Sequence, residues 1–208
     1  MKNPIHRTAT VHNPRPAKKI EMRVDCGKYV VRTLTPDDAS DRWAAWMSDR
    51  KNVRLLNSAP KPMTRADIVA YIKKFDQISH LLLGIFEKQS GLHIGFFRLD
   101  IDPKLNRCLM FFMIGERKYR HWSVTNELRV PFQNFLFDNL KLNTVLGSAL
   151  TSNRAMVRYL VKSGWNVDKT TTWPVQSPAV AAAPSLTFLS LSREAWREWK
   201  RKNLTRNP

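Results

Sequence analysis

Apolar residues along this chain follow two spacings, and each change from one to the other marks a new element. Short runs rich in β-branched and aromatic residues predict strands at Lys28–Leu34, His80–Phe86 (HLLLGIF), His93–Ile101 (HIGFFRLDI), Arg107–Ile114 and Asn143–Leu150 (NTVLGSAL). Asn166–Trp173 and Ser185–Leu191 read as a last strand pair, separated by the loop VQSPAVAAAPS. Helical spacing begins at Thr35-Pro36-Asp37-Asp38, which offers a threonine cap, a proline in the first turn and a carboxylate three residues after the cap. Ala39, Trp43, Trp46 and Met47 continue it as an apolar stripe. Thr64 and Asp67 repeat the signal ahead of Ile68, Tyr71, Ile72 and Phe75, and the stretch Asn52–Met63 between these helices reads as irregular. Ser123–Leu140 carries Leu128, Phe132, Phe135, Leu136 and Leu140 on one stripe. Pro131 should kink it, because proline removes a backbone donor and crowds the preceding turn. Thr151 or Ser152 caps Asn153–Ser163, which turns Met156, Val157, Leu160 and Val161 inward and stops at Gly164. Arg193–Lys202 closes the pattern as a basic amphipathic helix.

This order predicts an α/β (α+β) fold. Short turns join His80–Phe86, His93–Ile101 and Arg107–Ile114 into an antiparallel meander. A crossover helix separates Arg107–Ile114 from Asn143–Leu150, so those two strands should lie parallel. The expected result is a mixed, mostly antiparallel sheet flanked by helices.

Composition narrows the class. The chain has 208 residues, 43% of them hydrophobic, which is enough for one domain with a sizeable core. No apolar run reaches the roughly 18–20 residues needed to span a bilayer. Cys26 and Cys108 show no CxxC spacing, so reduced thiols in a cytoplasmic interior are expected, and neither zinc nor another metal. Thirty-five Lys and Arg against 17 Asp and Glu give a net charge of +18, a field that attracts polyanions. Nucleic acid, a phosphorylated cofactor and an acidic carrier protein all fit that field. Part of the excess lies at the ends. Residues 1–24 read as a basic disordered tail, 25–192 as the folded domain, and 193–208 as a basic helix and tail.

The element order, together with YVVRTLTPDDA, HIGFFRLDI, MIGERKY and SNRAMVRYLVKSGW, resembles the GNAT acyltransferase superfamily between roughly Lys28 and Leu191. The nearest branch by this resemblance is that of the ribosomal-protein alanine acetyltransferases. The resemblance implies acyl-CoA, with no metal, in a V-shaped opening between two splayed parallel strands. It also implies direct attack by a primary amine, on a small molecule or a protein N-terminus, at the thioester carbonyl. The superfamily's pyrophosphate motif, Q/R-x-x-G-x-G/A, falls on Lys118-Tyr119-Arg120-His121-Trp122-Ser123. His121 stands in place of the first glycine, and Arg117 and Arg120 are candidate compensating phosphate donors. Met113, Ile114, Arg117, Lys118, Arg120, His121, Trp122 and Ser123 are therefore cofactor-binding candidates. Asn153 joins them as a pantetheine contact or, equally, as a simple helix cap.

Catalytic groups are harder to find. Leu109 falls where relatives often carry a carboxylate, which leaves Glu116 and Asp100, with Asp102 behind them, as base candidates. Met156 and Leu160 fall where relatives place a hydroxyl acid, and Tyr159 is a neighbouring substitute about 100° around the helix. His80 and His93 sit in strands at no metal-ligand spacing and read as structural. Of seven tryptophans most fall at inward positions, and Trp122 is the one placed to cover a cofactor or block its groove. Three functions follow: an N-acyltransferase using acyl-CoA, an acyltransferase using an acyl carrier protein, or a GNAT-fold module binding nucleic acid or ribosomes without catalysis. Asn52–Met63 and the Val175–Ser185 loop are the candidate acceptor contacts.

Overall fold

Eight strands form a single sheet in the order β1-β2-β3-β4-β5-β6-β8-β7. They are β1 (Arg23–Cys26), β2 (Tyr29–Thr33), β3 (His80–Glu87), β4 (His93–Asp102), β5 (Arg107–Ile114), β6 (Thr144–Leu150), β7 (Asn166–Thr172) and β8 (Ser185–Ser192). The computed structural model describes residues 18–53, 60–172 and 185–204. Trp173, most of the Val175–Ser185 loop, residues 54–59 and residues 1–17 of the basic leader lie outside them. Every neighbouring pair is antiparallel except β5 and β6, which are parallel as the crossover predicts.

Helices cover both faces. α1 (Asp41–Ser48), α2 (Arg50–Val53) and α3 (Arg65–Ile72) lie on one side, where Trp43, Trp46, Ile68 and Ile72 pack against Leu82, Phe86, Phe96 and Met113. On the other, α4 (Trp122–Asn134) and α6 (Arg193–Leu204) bury Val124, Leu128, Phe132, Trp196 and Trp199 against Val31, Leu83, Phe97, Val145 and Leu191. α5 (Arg154–Lys162) follows β6 and buries none of its residues completely, despite its amphipathic sequence. The C-terminal helix is a docked element: Trp196 Nε1 donates to Asn134 Oδ1 at 3.1 Å and Trp199 Nε1 to Lys162 O at 2.8 Å. Cys26 and Cys108 are free and buried, and burial pushes both thiols up to about 12.

Three elements differ from the sequence-based expectation. The helix expected from Thr35 is a single 3-10 turn, Pro36–Asp38, and α1 starts afresh when Ser40 accepts the Trp43 N–H at 3.2 Å. Asp38 is held by the Arg32 guanidinium at 2.6 and 2.9 Å and by the Thr35 N–H at 2.8 Å, which fixes the turn and ends it. The long helix breaks at Phe135–Asn139, a π-helical turn, while Pro131 stays inside α4. The wider turn lets adjacent Leu136 and Phe137 both face the core. Finally, β1 crosses the boundary expected at Asp25. Met22, Val24 and Cys26 alternate into the core, and the hairpin turns at Gly27, whose φ of +65° suits glycine.

His93 is structural, and it is buried uncharged. Its Nε2–H donates to Gly95 O at 2.9 Å, and its ring stacks on Phe86 at 4.7 Å beside Trp43 and Trp46. Burial lowers its pKa from 6.5 to about 4. As pH falls through that window the unfolded chain binds a proton that the folded chain refuses, so stability is lost. The expected loss between pH 6.5 and 4 is about 3 kcal/mol, read from urea unfolding midpoints. His93→Phe, which keeps the aromatic packing, should flatten that slope; an unchanged slope would assign it elsewhere.

Candidate active site

The central feature is a fork. β5 pairs with β6 only at Arg107↔Thr144, Cys108↔Val145 and Leu109↔Leu146. Beyond Leu109 each strand keeps full register with its outer neighbour, β5 with β4 to Ile114 and β6 with β8 to Leu150. Their inner edges separate into a slot. Gly115 N–H donates to Ile94 O at 2.9 Å, so by antiparallel alternation the N–H and C=O groups of Phe112 and Ile114 point away from β4 into that slot. Phe112 is the contributor that sequence reasoning missed. Its side chain stacks on Phe97 in the core, and only strand parity reveals its main chain as a slot wall. Met113 faces the opposite way, with its side chain buried under α1 and α3.

At the open end of the slot the chain turns through Gly115–His121 into the first turn of α4. Arg120 organises this turn. Its Nε donates to Ile114 O at 3.0 Å and an Nη to Gly115 O at 2.5 Å, and the same Nη also reaches Asn52 Oδ1. Its guanidinium is thus committed to the loop's own carbonyls, and Arg117 and Lys118 are the exposed cations beside it. Lys118 Nζ lies 5.8 Å over the Tyr119 ring. His121 occupies the N-cap of α4 at φ −134°, extended backbone that any residue adopts, so a glycine is not needed there for conformation. What its side chain costs is space. The imidazole Nδ1 hydrogen-bonds the Ser123 hydroxyl across the helix start, where free N–H groups favour an anion.

The flanks of the slot hold the remaining candidates. Trp122 stacks on Tyr159 at 4.7 Å and 17°, bridging α4 and α5. The Tyr159 hydroxyl is buried near Arg129 and Ser163, and burial raises its pKa, so it stays protonated at neutral pH. Asn153 caps α5 by accepting the Met156 N–H at 3.3 Å, which leaves its amide NH2 as a donor. Glu116 accepts from Trp46 Nε1 at 3.1 Å with Arg42 Nε at 3.8 Å. It sits seven residues past the fork apex at Leu109, on the order of 20 Å along the strand. Asp100 lies at the level of the apex, opposite Leu109 on β4. It accepts from Arg98 Nε and Nη2 at 3.0 and 2.5 Å and contacts His80 Nδ1 at 3.0 Å. The structure thus separates the three catalytic candidates, with Glu116 at the open end, Tyr159 on the α5 flank and Asp100 beside the apex. Among the described residues, no cluster of His, Cys, Asp and Glu could hold a metal ion, and no helix is long and apolar enough to cross a membrane.

A mostly antiparallel sheet with one splayed parallel pair and a basic turn opening a helix at the mouth of the splay defines the acyltransferase class of this architecture. The sequence matches the family model described as "Acetyltransferase (GNAT) domain" over residues 28–166, and the chain belongs to that family. No curated protein matches it by sequence. Among solved structures, it is similar to a GCN5-related N-acetyltransferase from Brucella melitensis (TM-score 0.71, 18% identity, covering 94% of this chain and 90% of that one). It is also similar to the spermidine N-acetyltransferase of Vibrio cholerae in complex with CoA and spermine (TM-score 0.72, 11% identity, 82% and 98%). A third is a probable GNAT-family acetyltransferase from Chromobacterium violaceum (TM-score 0.70, 13% identity, 94% and 100%). At these identities the likeness is one of fold.

The end of β5 is braced by packing as well as by Arg120. A Cβ built on Gly115 would lie 2.0 Å from the Trp46 ring. Gly115→Ala should therefore cost about 1–3 kcal/mol in urea unfolding. Combining it with Trp46→Leu should cost less than the two single losses added; simple additivity would show that ring and glycine are uncoupled.

Proposed function

We propose that this protein transfers an acetyl group from acetyl-CoA to a primary amine. The observation that carries the reading is the fork: two strands satisfied on their outer edges, with main-chain donors and acceptors on their inner edges facing a slot. A pantetheine arm carries amides that complement such edges. With its diphosphate at the start of α4, near Arg117, Lys118 and Ser123, the thioester at the other end of an extended arm falls back toward Leu109 and Leu146. The Phe112 N–H is a candidate donor to the oxyanion that forms when the amine attacks. Tyr159, kept protonated by burial, is the candidate acid for the departing thiolate. Asn153 and Trp122 flank the arm.

The acceptor is a neutral or acidic amine, such as an amino-acid derivative or a protein N-terminus in the manner of the ribosomal-protein alanine acetyltransferases. A polyamine is disfavoured, because a chain of net charge +18 with Arg42, Arg98 and Arg120 around the slot repels a polycation. A second donor has one observation behind it. Arg154, Arg158 and Lys162 line one side of α5 together with Thr151, Val157, Val161 and Thr187, a basic groove suited to an acidic carrier protein.

Isothermal titration decides between the donors. Acetyl-CoA is expected to bind, and thiol release should follow on adding glycinamide or an alanine-initiated peptide, with spermidine slower. Binding to acyl carrier protein, lost on adding salt, with none to acetyl-CoA would instead select the carrier donor. Binding to neither would remove the acyltransfer reading. His121→Gly, which clears the imidazole from the start of α4, should tighten acetyl-CoA several-fold; weaker binding would show that His121 contributes to the site.

A further inference from the structure

The slot apex has no titratable side chain of its own on the open face of the sheet. Side chains alternate along a strand, so the residues sharing that face can be read from the registers. Across β3, β4, β5, β6 and β8 one row runs His80↔Asp100↔Leu109↔Leu146↔Ser190. The next row includes Leu82↔Arg98↔Phe111, and Arg98 lies 4.3 Å over the Phe111 ring, which is 40% exposed. α1 and α3 cover this face only over β2 to β4 and as far as Met113 on β5, so the face is open from Phe111 to the fork. The two apex residues, Leu109 and Leu146, are apolar. One strand from Leu109 stands Asp100, at the separation of directly opposed residues, about 5 Å between Cβ atoms. On the far side, the carboxylate facing this way is Asp168, which accepts from the Ser190 hydroxyl at 2.7 Å and lies two strands beyond β6.

His80 and Asp100 form an oriented pair. Asp100 Oδ1 holds His80 Nδ1 at 3.0 Å, while its Oδ2 is gripped by Arg98. Asp76 fixes the backbone below, accepting the N–H groups of Ile78, Ser79 and His80 at 2.8, 2.9 and 2.8 Å. The imidazole itself is 57% exposed, and Nδ1 is the nitrogen that Asp100 holds. The groups facing the pair are Asp76 from the preceding turn, Arg98 from β4, Tyr71 of α3 beside Arg98, and apolar Leu109 from β5. A carboxylate on Nδ1–H leaves Nε2 as the acceptor, the arrangement a general base requires.

We infer that His80, oriented by Asp100, accepts the proton of the attacking amine, so that the base stands on β3, two strands from β5, with Asp100 on the strand between. This rests on the acetyltransfer reading. The amine nitrogen forms its bond to the thioester carbonyl carbon, and the C–S bond breaks with its electron pair on sulfur. The proton leaving nitrogen passes to His80 Nε2 by way of solvent water on the open face. Tyr159 protonates the departing thiolate, and the imidazolium releases its proton to solvent, from which Tyr159 is reprotonated. His80 is the proton acceptor and Asp100 a positioning residue.

The test uses the full chain, acetyl-CoA and glycinamide or an alanine-initiated peptide, with thiol release as the readout. His80→Gln should lower kcat about 100-fold at pH 7 and abolish the ascending limb of the pH profile, with KM for acetyl-CoA little changed. Asp100→Asn should cost about tenfold and keep the limb. Asp168→Asn should change neither, and all three variants should unfold at the wild-type midpoint. A wild type that binds acetyl-CoA yet acetylates no amine would sink the function and this assignment together. Turnover that persists in His80→Gln with the same limb would sink the assignment alone. Nitrogen NMR of His80 gives a readout free of activity: the Nδ1–H tautomer is expected, and the Nε2–H tautomer overturns the inference.

Discussion

Everything in this molecule is arranged around two parallel strands that part company after three rungs. A buried strand edge with unpaired N–H and C=O groups is costly, and sheets ordinarily close such edges. Here β4 and β8 hold β5 and β6 in full register from outside, so neither strand is free to zip further inward. On the α4 side Trp165 supports Gly147, where a Cβ would come within 3.3 Å of its ring, at the level where the strands begin to diverge. The resulting slot leaves main-chain N–H and C=O groups directed between the two strands.

At the mouth of the slot the turn into α4 is built with His121 at the N-cap in place of a glycine. Arg120 ties the carbonyls of Ile114 and Gly115, and so fixes where β5 ends and α4 begins. Arg117, Lys118 and the first turn of α4 then supply positive potential. His121 and Ser123 engage each other across the helix start, and the Trp122–Tyr159 stack links that start to α5. The site is therefore more enclosed by side chains than a glycine-rich turn would be.

Polar networks at the two ends of the slot divide the work. At the open end Glu116 is occupied by Trp46 and Arg42, and it braces α1 against the sheet. At the apex Asp100 is shared between Arg98 and His80, on the face that the helices leave uncovered. A carboxylate in the first place stabilises the loop, whereas one in the second orients an imidazole on the uncovered face.

Most of the architecture was legible in the chain. Alternation and helical spacing found seven of the eight strands, the capped start of α3 and the parallel β5–β6 pair, because these depend on local periodicity and on the length of a crossover. The Met22, Val24 and Cys26 alternation of β1 was present too, but a surrounding basic leader masked it. The break in the long helix was assigned to Pro131, yet the chain widens at Phe135, where two consecutive side chains both find the core. What sequence could not decide was anything set by neighbours distant along the chain. That the Phe112 main chain lines the slot, and that His80 meets Asp100 while His93 is buried, follow from strand register. A one-residue slip in register moves every side chain to the opposite face, and only the assembled sheet fixes it.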